Sequence, residues 1–249
     1  MTVYEEIKAG LLLRNTYVIK FTREFISADT KEKFVQNLTT QNEDWYYRTH
    51  DVKYVLNSKG FRAPEFENID WNNTVVIFGA SDAFSIGVDE KDTLSVRLSE
   101  ITGKSVVSLG VCKASITHTL HNLAIFRKFF PKPAGIIMMW PPKGNVGYYY
   151  PDRVQKYSDI EPDINIPLVR EWHTSNHHIE AHNLANSYVC EQICKDIPYY
   201  ATCSLTNTAS VMQCEHIDLL CLDKSRDLEH GGIESLKVAA KTLASKLKL

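Results

Sequence analysis

The chain has 249 residues, 44% of them hydrophobic, enough to bury one substantial α/β-sized core. Its 28 basic and 30 acidic residues give a formal net charge of −2, so no chain-wide field draws it to nucleic acid or to an anionic membrane. No apolar run reaches the roughly 18 residues of a membrane span, and the opening stretch MTVYEEIKAGLLLRNTYVIKF has neither a basic leader nor a small-residue cleavage site, so the expectation is a cytoplasmic protein without a secretory signal.

Residues 1–70 are rich in aromatic, Asn, Thr and charged residues, contain the turn-like LNSKGFRAPEFEN, and show only weak periodicity, as in TKEKFVQNL. They are expected to form an irregular N-terminal extension packed on a core domain over 71–249. From Val75 onward the pattern alternates. VVIFGA (75–80), SVVSLG (105–110), GIIMMW (135–140), YYATCSL (199–205) and IDLLCL (217–222) read as strands buried on both faces. Between them lie helical patterns: TLSVRLSEITG stopped by Gly103, SITHTLHNLAIFRKFF ended by Pro131, and HHIEAHNLANSYVCEQICKD. The last helix, IESLKVAAKTLASKLKL, aligns Ile233, Leu236, Ala240, Leu243 and Leu247 on one stripe. Five strands alternating with helices predict a three-layer α/β/α sandwich around a five-stranded parallel sheet, with ligands at the carboxyl ends of the strands.

An irregular insert, 141–176, follows the third strand. Its aromatics Tyr148, Tyr149, Tyr150 and Trp172 either line a substrate groove or cover apolar surface. The six cysteines form no Cys-x-x-Cys pair and read as reduced, mostly buried thiols.

The turn after the first strand, GASDAFSIG, holds the chemistry. It has too few glycines for a phosphate cradle, and Ala83 stands where the G-x-S-x-G elbow needs glycine. What remains is Ser81 just past a strand end, at a helix N-terminus where backbone N–H groups can meet negative charge, or else a serine that only caps the turn. A base is available after the fifth strand, in DKSRDLEHGG. There Asp227 can hold one imidazole nitrogen of His230 while the other is left for a hydroxyl, although D-x-x-H also occurs in ordinary capped loops.

Serine after strand one and D-x-x-H before the last helix resemble the SGNH (GDSL-like) hydrolase family over roughly Val75 to the C-terminus. GASDAFSIGV looks like its G-D-S block, with Ala80 in place of the aspartate. SVVSLGVCKAS is similar to its N-x-G block, with Ser108 in place of the asparagine. DLEH matches its D-x-x-H block. The subgroup it looks like, found in bacteria and phages, pairs the serine block with a segment such as VKYVLNSKGFR (53–63). The resemblance implies the flavodoxin-like SGNH hydrolase fold and a serine esterase that needs no cofactor. Its nucleophile would be Ser81, its base His230 and its orienting acid Asp227, with an oxyanion hole from the amides of Ser81 and Gly110. The family's G-x-N-D block reads MMWPPKGN here, which leaves a two-amide hole, a degraded one, or Asn145 as the substitute third donor. Tyr148, Tyr149 and His118 are candidate substrate contacts.

The expected substrate is a small-molecule or carbohydrate ester bearing an O-acetyl or other short acyl group, or a lipid-like one. The alternatives are an acyltransferase using the same triad and a catalytically degraded binding module. Other clusters carry blander readings. His178 and His182 are spaced for zinc but lack an evident third ligand, Cys190 and Cys194 share a helical face suited to packing, and Asp82 suits capping.

Overall fold

In the computed structural model, which describes residues 21–143, 146–150, 153–157 and 175–247, the apolar runs of the sequence become neighbouring strands of one sheet. The N-terminal part supplies β1 (Phe21–Arg23), α1 (Lys31–Thr40) and β2 (Tyr54–Leu56), with β1 and β2 paired antiparallel. Thr30 starts α1 by accepting a hydrogen bond from the Lys33 amide. The alternating part then runs β3 (Thr74–Gly79), α2 (Ser81–Phe84), α3 (Leu94–Thr102), β4 (Ser105–Ser108), α4 (Ile116–Phe129) and β5 (Gly135–Met139). It continues through β6 (Val146–Tyr150), β7 (Arg153–Tyr157), α5 (Asn176–Cys194), β8 (Tyr199–Cys203), α6 (Thr206–Met212), β9 (Glu215–His216) and α7 (Ile233–Leu247).

The central sheet has the order β4-β3-β5-β8-β9, and every neighbouring pair is parallel. Helices cover both faces, and the period-two geometry of the strands decides which residue meets which layer. Val75 and Ile77 of β3 face α3 and α7, packing with Leu98, Leu236 and Leu243. Val76 and Phe78 face the other way, against Leu123 and Phe126 of α4 and Cys190 of α5. The three-layer sandwich follows from that division. In this sheet order the crevice beyond the strand ends opens between β3 and β5, where the chain reverses its direction of winding.

Two segments depart from the sequence reading. The fifth strand is only Glu215–His216; the Ile217 amide still bonds the Cys203 carbonyl at 2.9 Å, and 218–222 leaves the sheet. Its backbone groups are captured elsewhere: Asp218 Oδ1 accepts from the Leu220 amide at 2.8 Å, and Ser235 Oγ accepts from the amides of Leu222 and Asp223 at 3.1 and 2.9 Å. An amide held by a side chain cannot join a ladder, so the apolar residues alternate in a loop, with Leu219 buried and Leu220 and Leu222 exposed. The insert, read as irregular, contains the antiparallel pair β6 and β7.

A third apolar cluster joins the N-terminal part to the serine turn. Ile26, Tyr47, Val52, Tyr54 and Leu56 pack with Phe84, Ile86 and Cys112. Among the described residues no helix is long and apolar enough to cross a membrane.

Candidate active site

The serine turn is shaped by close backbone approach. A Cβ on Gly79 would lie 2.5 Å from the Met139 carbonyl oxygen and 2.8 Å from Ala83 Cβ, so only glycine lets β3 end this tightly against β5 and α2. The chain then enters the single turn α2, closed by Ser85 in the left-handed region at φ 59°. Phe84 is the first amide bonded within that turn, to the Ala80 carbonyl, and the Ser81 amide has no partner among the described residues. Free leading amides are the normal condition of a helix start, and they create a local site for negative charge.

In the loop before α7, Asp227 Oδ2 lies 2.6 Å from His230 Nδ1. The other carboxylate oxygen accepts from Ser225 Oγ at 2.8 Å and from the amides of Glu229 and His230 at 2.9 and 3.1 Å. The Asp227 side chain is fully buried, and burial alone would raise its pKa. The bond to His230, its positive charge when protonated, and the remaining donors overcome that penalty and bring the carboxyl down to about 2. For His230 burial works downward, yet the partnership with Asp227 and the nearby charges of Asp82 and Glu229 leave it raised above its ordinary value. With Nδ1 engaged, Nε2 is the nitrogen left for a substrate or a hydroxyl.

Ser81 and His230 line one cavity of about 180 Å³ at the carboxyl end of the sheet. Its walls come from Ala80 to Asp82, from 139–142 after β5, and from Leu205, Leu219 and Leu220, with Glu229 beside His230. Neither Ser81 Oγ nor His230 Nε2 has a hydrogen-bond partner among the described residues, so the two share the cavity without a direct bond. Catalytic hydrogen bonds commonly tighten only when substrate binds. Asp82, beside the serine, accepts from Ser204 Oγ at 2.6 Å and so is held toward β8. A larger cavity of about 640 Å³, walled partly by Trp45, Arg97 and Lys237, contains none of these groups. Size alone does not single it out; the paired Asp and His make the smaller cavity the candidate site.

The remaining candidates fare differently. Gly110 lies hard against α2, where an added Cβ would come within 2.6 Å of the Phe84 amide nitrogen. Its own amide donates to Ser108 Oγ at 3.1 Å, and Ser108 in turn donates to the Ala83 carbonyl at 2.6 Å. The serine in place of the expected asparagine thus ties β4 to the serine turn and occupies the Gly110 amide. His118 sits in the first turn of α4 and does not line the cavity. Asn145 and the side chains of Tyr148 and Tyr149 fall outside the described residues. His178 and His182 stack with ring centres 6.2 Å apart, whereas the convergent donor cluster among the described residues is Asp227, Glu229 and His230. Cys190 and Cys194 are buried, and burial pushes the Cys194 thiol up to about 12, the state of a packing residue rather than a nucleophile.

Sequence reasoning missed Ser225, Arg226 and Ser204. Ser225 had a local signal, since a serine two residues before a loop aspartate can bond its carboxylate. Arg226 had none, because its carboxylate partner, Asp29, lies 197 residues away.

No family model matches the chain, and no curated protein matches it. Among solved structures, an acetyl xylan esterase, Est2A, from the rumen bacterium Butyrivibrio proteoclasticus is 9% identical with a TM-score of 0.46, covering 72% of this chain and 64% of that one. A carbohydrate esterase family 2 enzyme from Corynascus thermopiles is 11% identical with a TM-score of 0.43, covering 70% and 65%. An SGNH-hydrolase family esterase, AlinE4, is 13% identical with a TM-score of 0.39, covering 73% and 100%. With scores this low, the site's own geometry has to support any reading of function.

Proposed function

We propose that the protein is a serine esterase that cleaves a short-chain acyl ester through Ser81, His230 and Asp227. The observation that carries this reading is the shared cavity, with a half-buried serine at a helix start on one wall and an aspartate-oriented imidazole on the other. In the proposed cycle Ser81 Oγ attacks the acyl carbonyl and its proton passes to His230 Nε2. The imidazolium is stabilised by Asp227, then returns the proton to the departing alcohol oxygen. Water, deprotonated by the same nitrogen, attacks the acyl-serine and releases the acid. An acceptor hydroxyl in place of water would make the same machinery an acyltransferase.

The oxyanion would meet the Ser81 amide. The Gly110 amide would join it only by leaving Ser108, and Asn145 would be the third donor from the insert. The apolar walls from Met139, Leu205 and Leu219 suit a small acyl group, and the carboxylates of Asp82 and Glu229 disfavour an anionic one.

Labelling with a fluorophosphonate probe tests the reading. The expected result is one adduct on Ser81, abolished in Ser81→Ala and strongly slowed in His230→Ala. An unlabelled but folded protein would overturn it in favour of a non-catalytic module.

A further inference from the structure

Arg226 stands between Ser225 and Asp227, and its side chain turns away from the cavity into the N-terminal part of the chain. Its Nη2 reaches Asp29 Oδ2 at 2.7 Å, and its Nε lies 3.1 and 3.2 Å from the two oxygens of that carboxylate. Nη2 also donates to the Glu24 carbonyl. Both partners are almost fully buried, at 4% and 1% side-chain exposure. The guanidinium lies over the rings of Phe25 and Phe34, at 4.5 and 5.3 Å from their centres.

The backbone of the same residue is held from two sides. The Arg226 amide donates to the Gly87 carbonyl at 3.0 Å, and Asn37 Nδ2 donates to the Arg226 carbonyl at 2.9 Å. A second route leads from Asp29 to the serine turn. Tyr54 donates its hydroxyl proton to Asp29 Oδ2 and accepts from the Gly87 amide at 2.8 Å. Gly87 lies two residues beyond Ser85, which closes the turn that began at Ser81, and a Cβ there would strike Ser225 Oγ at 2.3 Å. Ser225 Oγ is the donor to Asp227 Oδ1. One buried carboxylate is therefore linked to both walls of the cavity.

We propose that Asp29, acting through Arg226 and Tyr54, is a positioning residue that sets the Asp227–His230 loop in register with the serine turn. This rests on the esterase reading only for its catalytic consequence. Burying an ion pair is a poor route to stability compared with packing apolar groups of the same volume, whereas its bidentate geometry fixes orientation. A single strut to the loop would hold it in place; a branch to Gly87 as well makes the two walls move together. The exposed pair between Lys33 and Glu229, at 2.5 Å, adds a peripheral tie from α1 to the same loop.

The test compares wild type with Asp29→Asn, Arg226→Lys and Tyr54→Phe, each checked for folding by thermal melting. Two readouts are taken: the titration of the His230 ring nitrogens by NMR, and the rate of Ser81 labelling by the fluorophosphonate probe against pH. The groups facing His230 are Asp227, Asp82 and Glu229. If the loop loses its register, the bond to Asp227 loosens, so the His230 titration moves down toward that of an ordinary histidine. Labelling then slows about 10- to 100-fold, the scale of a misplacement near 1 Å. Tyr54→Phe keeps the ion pair and cuts only the branch to Gly87, so it shows the same direction to a smaller extent and decides the matter if the ion-pair variants do not fold. Folded variants with an unchanged His230 titration and an unchanged labelling profile would reduce the pair to a structural role and overturn the proposal. A wild type that titrates normally but never labels would sink the esterase reading instead, leaving the positioning result legible.

Discussion

Asp227 divides its two oxygens between two tasks: Oδ2 holds His230 Nδ1 at 2.6 Å, while Oδ1 takes the hydroxyl of Ser225 and two backbone amides. The carboxylate is thus fixed independently of the histidine it orients. Asp227→Asn keeps the shape but offers an amide N–H or a neutral oxygen to Nδ1, which permits the wrong tautomer. The labelling rate is expected to fall on the order of 10³- to 10⁴-fold with little change in probe affinity. Ser225→Ala removes one of three supports to Oδ1 and is expected to cost far less. Equal losses in the two variants would show that the loop, rather than the charge, is what matters.

The pH response has a definite sign. In the proposed role of base His230 must be neutral, and its pKa lies above the ordinary 6.5, so labelling should rise with pH to a midpoint above that value. For stability the two partners act oppositely. Asp227 is depressed to about 2, so its contribution is present above its ordinary value near 3.8 and is lost as pH falls toward 2; for so buried a group it is on the order of 2 kcal/mol. His230 is raised, so its contribution is complete below pH 6.5 and fades as pH climbs through its folded pKa. Melting temperatures of wild type minus Asp227→Asn should therefore peak between about pH 4 and 6.5. A difference that grows steadily into alkaline pH would contradict this assignment.

What the sequence made legible was local. The runs at 75–80 and 135–140 announce buried strands because both faces are apolar, and Thr93 and Gly103 bracket α3 with a cap and a left-handed stop. Ser81, Asp227 and His230 stood out as candidates only in combination, a serine past the first strand with D-x-x-H before the last helix, and the fold brings Ser81 and His230 to one cavity. The remainder depends on partners distant in sequence. IDLLCL has the composition of a strand, yet Ser235 at the start of α7 takes the amides that a ladder would need. Gly110 looks like a free donor until Ser108 is seen to hold it. No local pattern marks Asp29 as the partner of Arg226.

Gly110 offers a test of how closely the β4 end and the serine turn fit. In Gly110→Ala the new methyl would meet the Phe84 amide nitrogen at 2.6 Å and the Ala83 carbonyl carbon at 2.8 Å, both of them backbone atoms that cannot swing aside. The expected cost is about 1–3 kcal/mol of stability, read from chemical denaturation. A Ser81 labelling rate below wild type in the folded fraction should accompany it, because relief of the clash displaces α2. An unperturbed melting curve would mean that the two segments are further apart than described.

The cavity volume makes a prediction about substrate. At about 180 Å³ it lies below the 300 Å³ or so at which pockets begin to enclose a drug-sized ligand, and its walls at Leu205, Leu219 and Met139 are apolar. An acetyl ester should be favoured over an octanoyl ester of the same alcohol in kcat/KM, by about 10- to 200-fold if the longer chain must force the walls apart. Leu205 is 42% exposed at the rim, so Leu205→Ala should widen the opening with little effect on stability and narrow that ratio. Octanoate esters cleaved as fast as acetate by the wild type would mean that the acyl chain leaves this cavity for another surface, and the ratio in Leu205→Ala would then stay where it was.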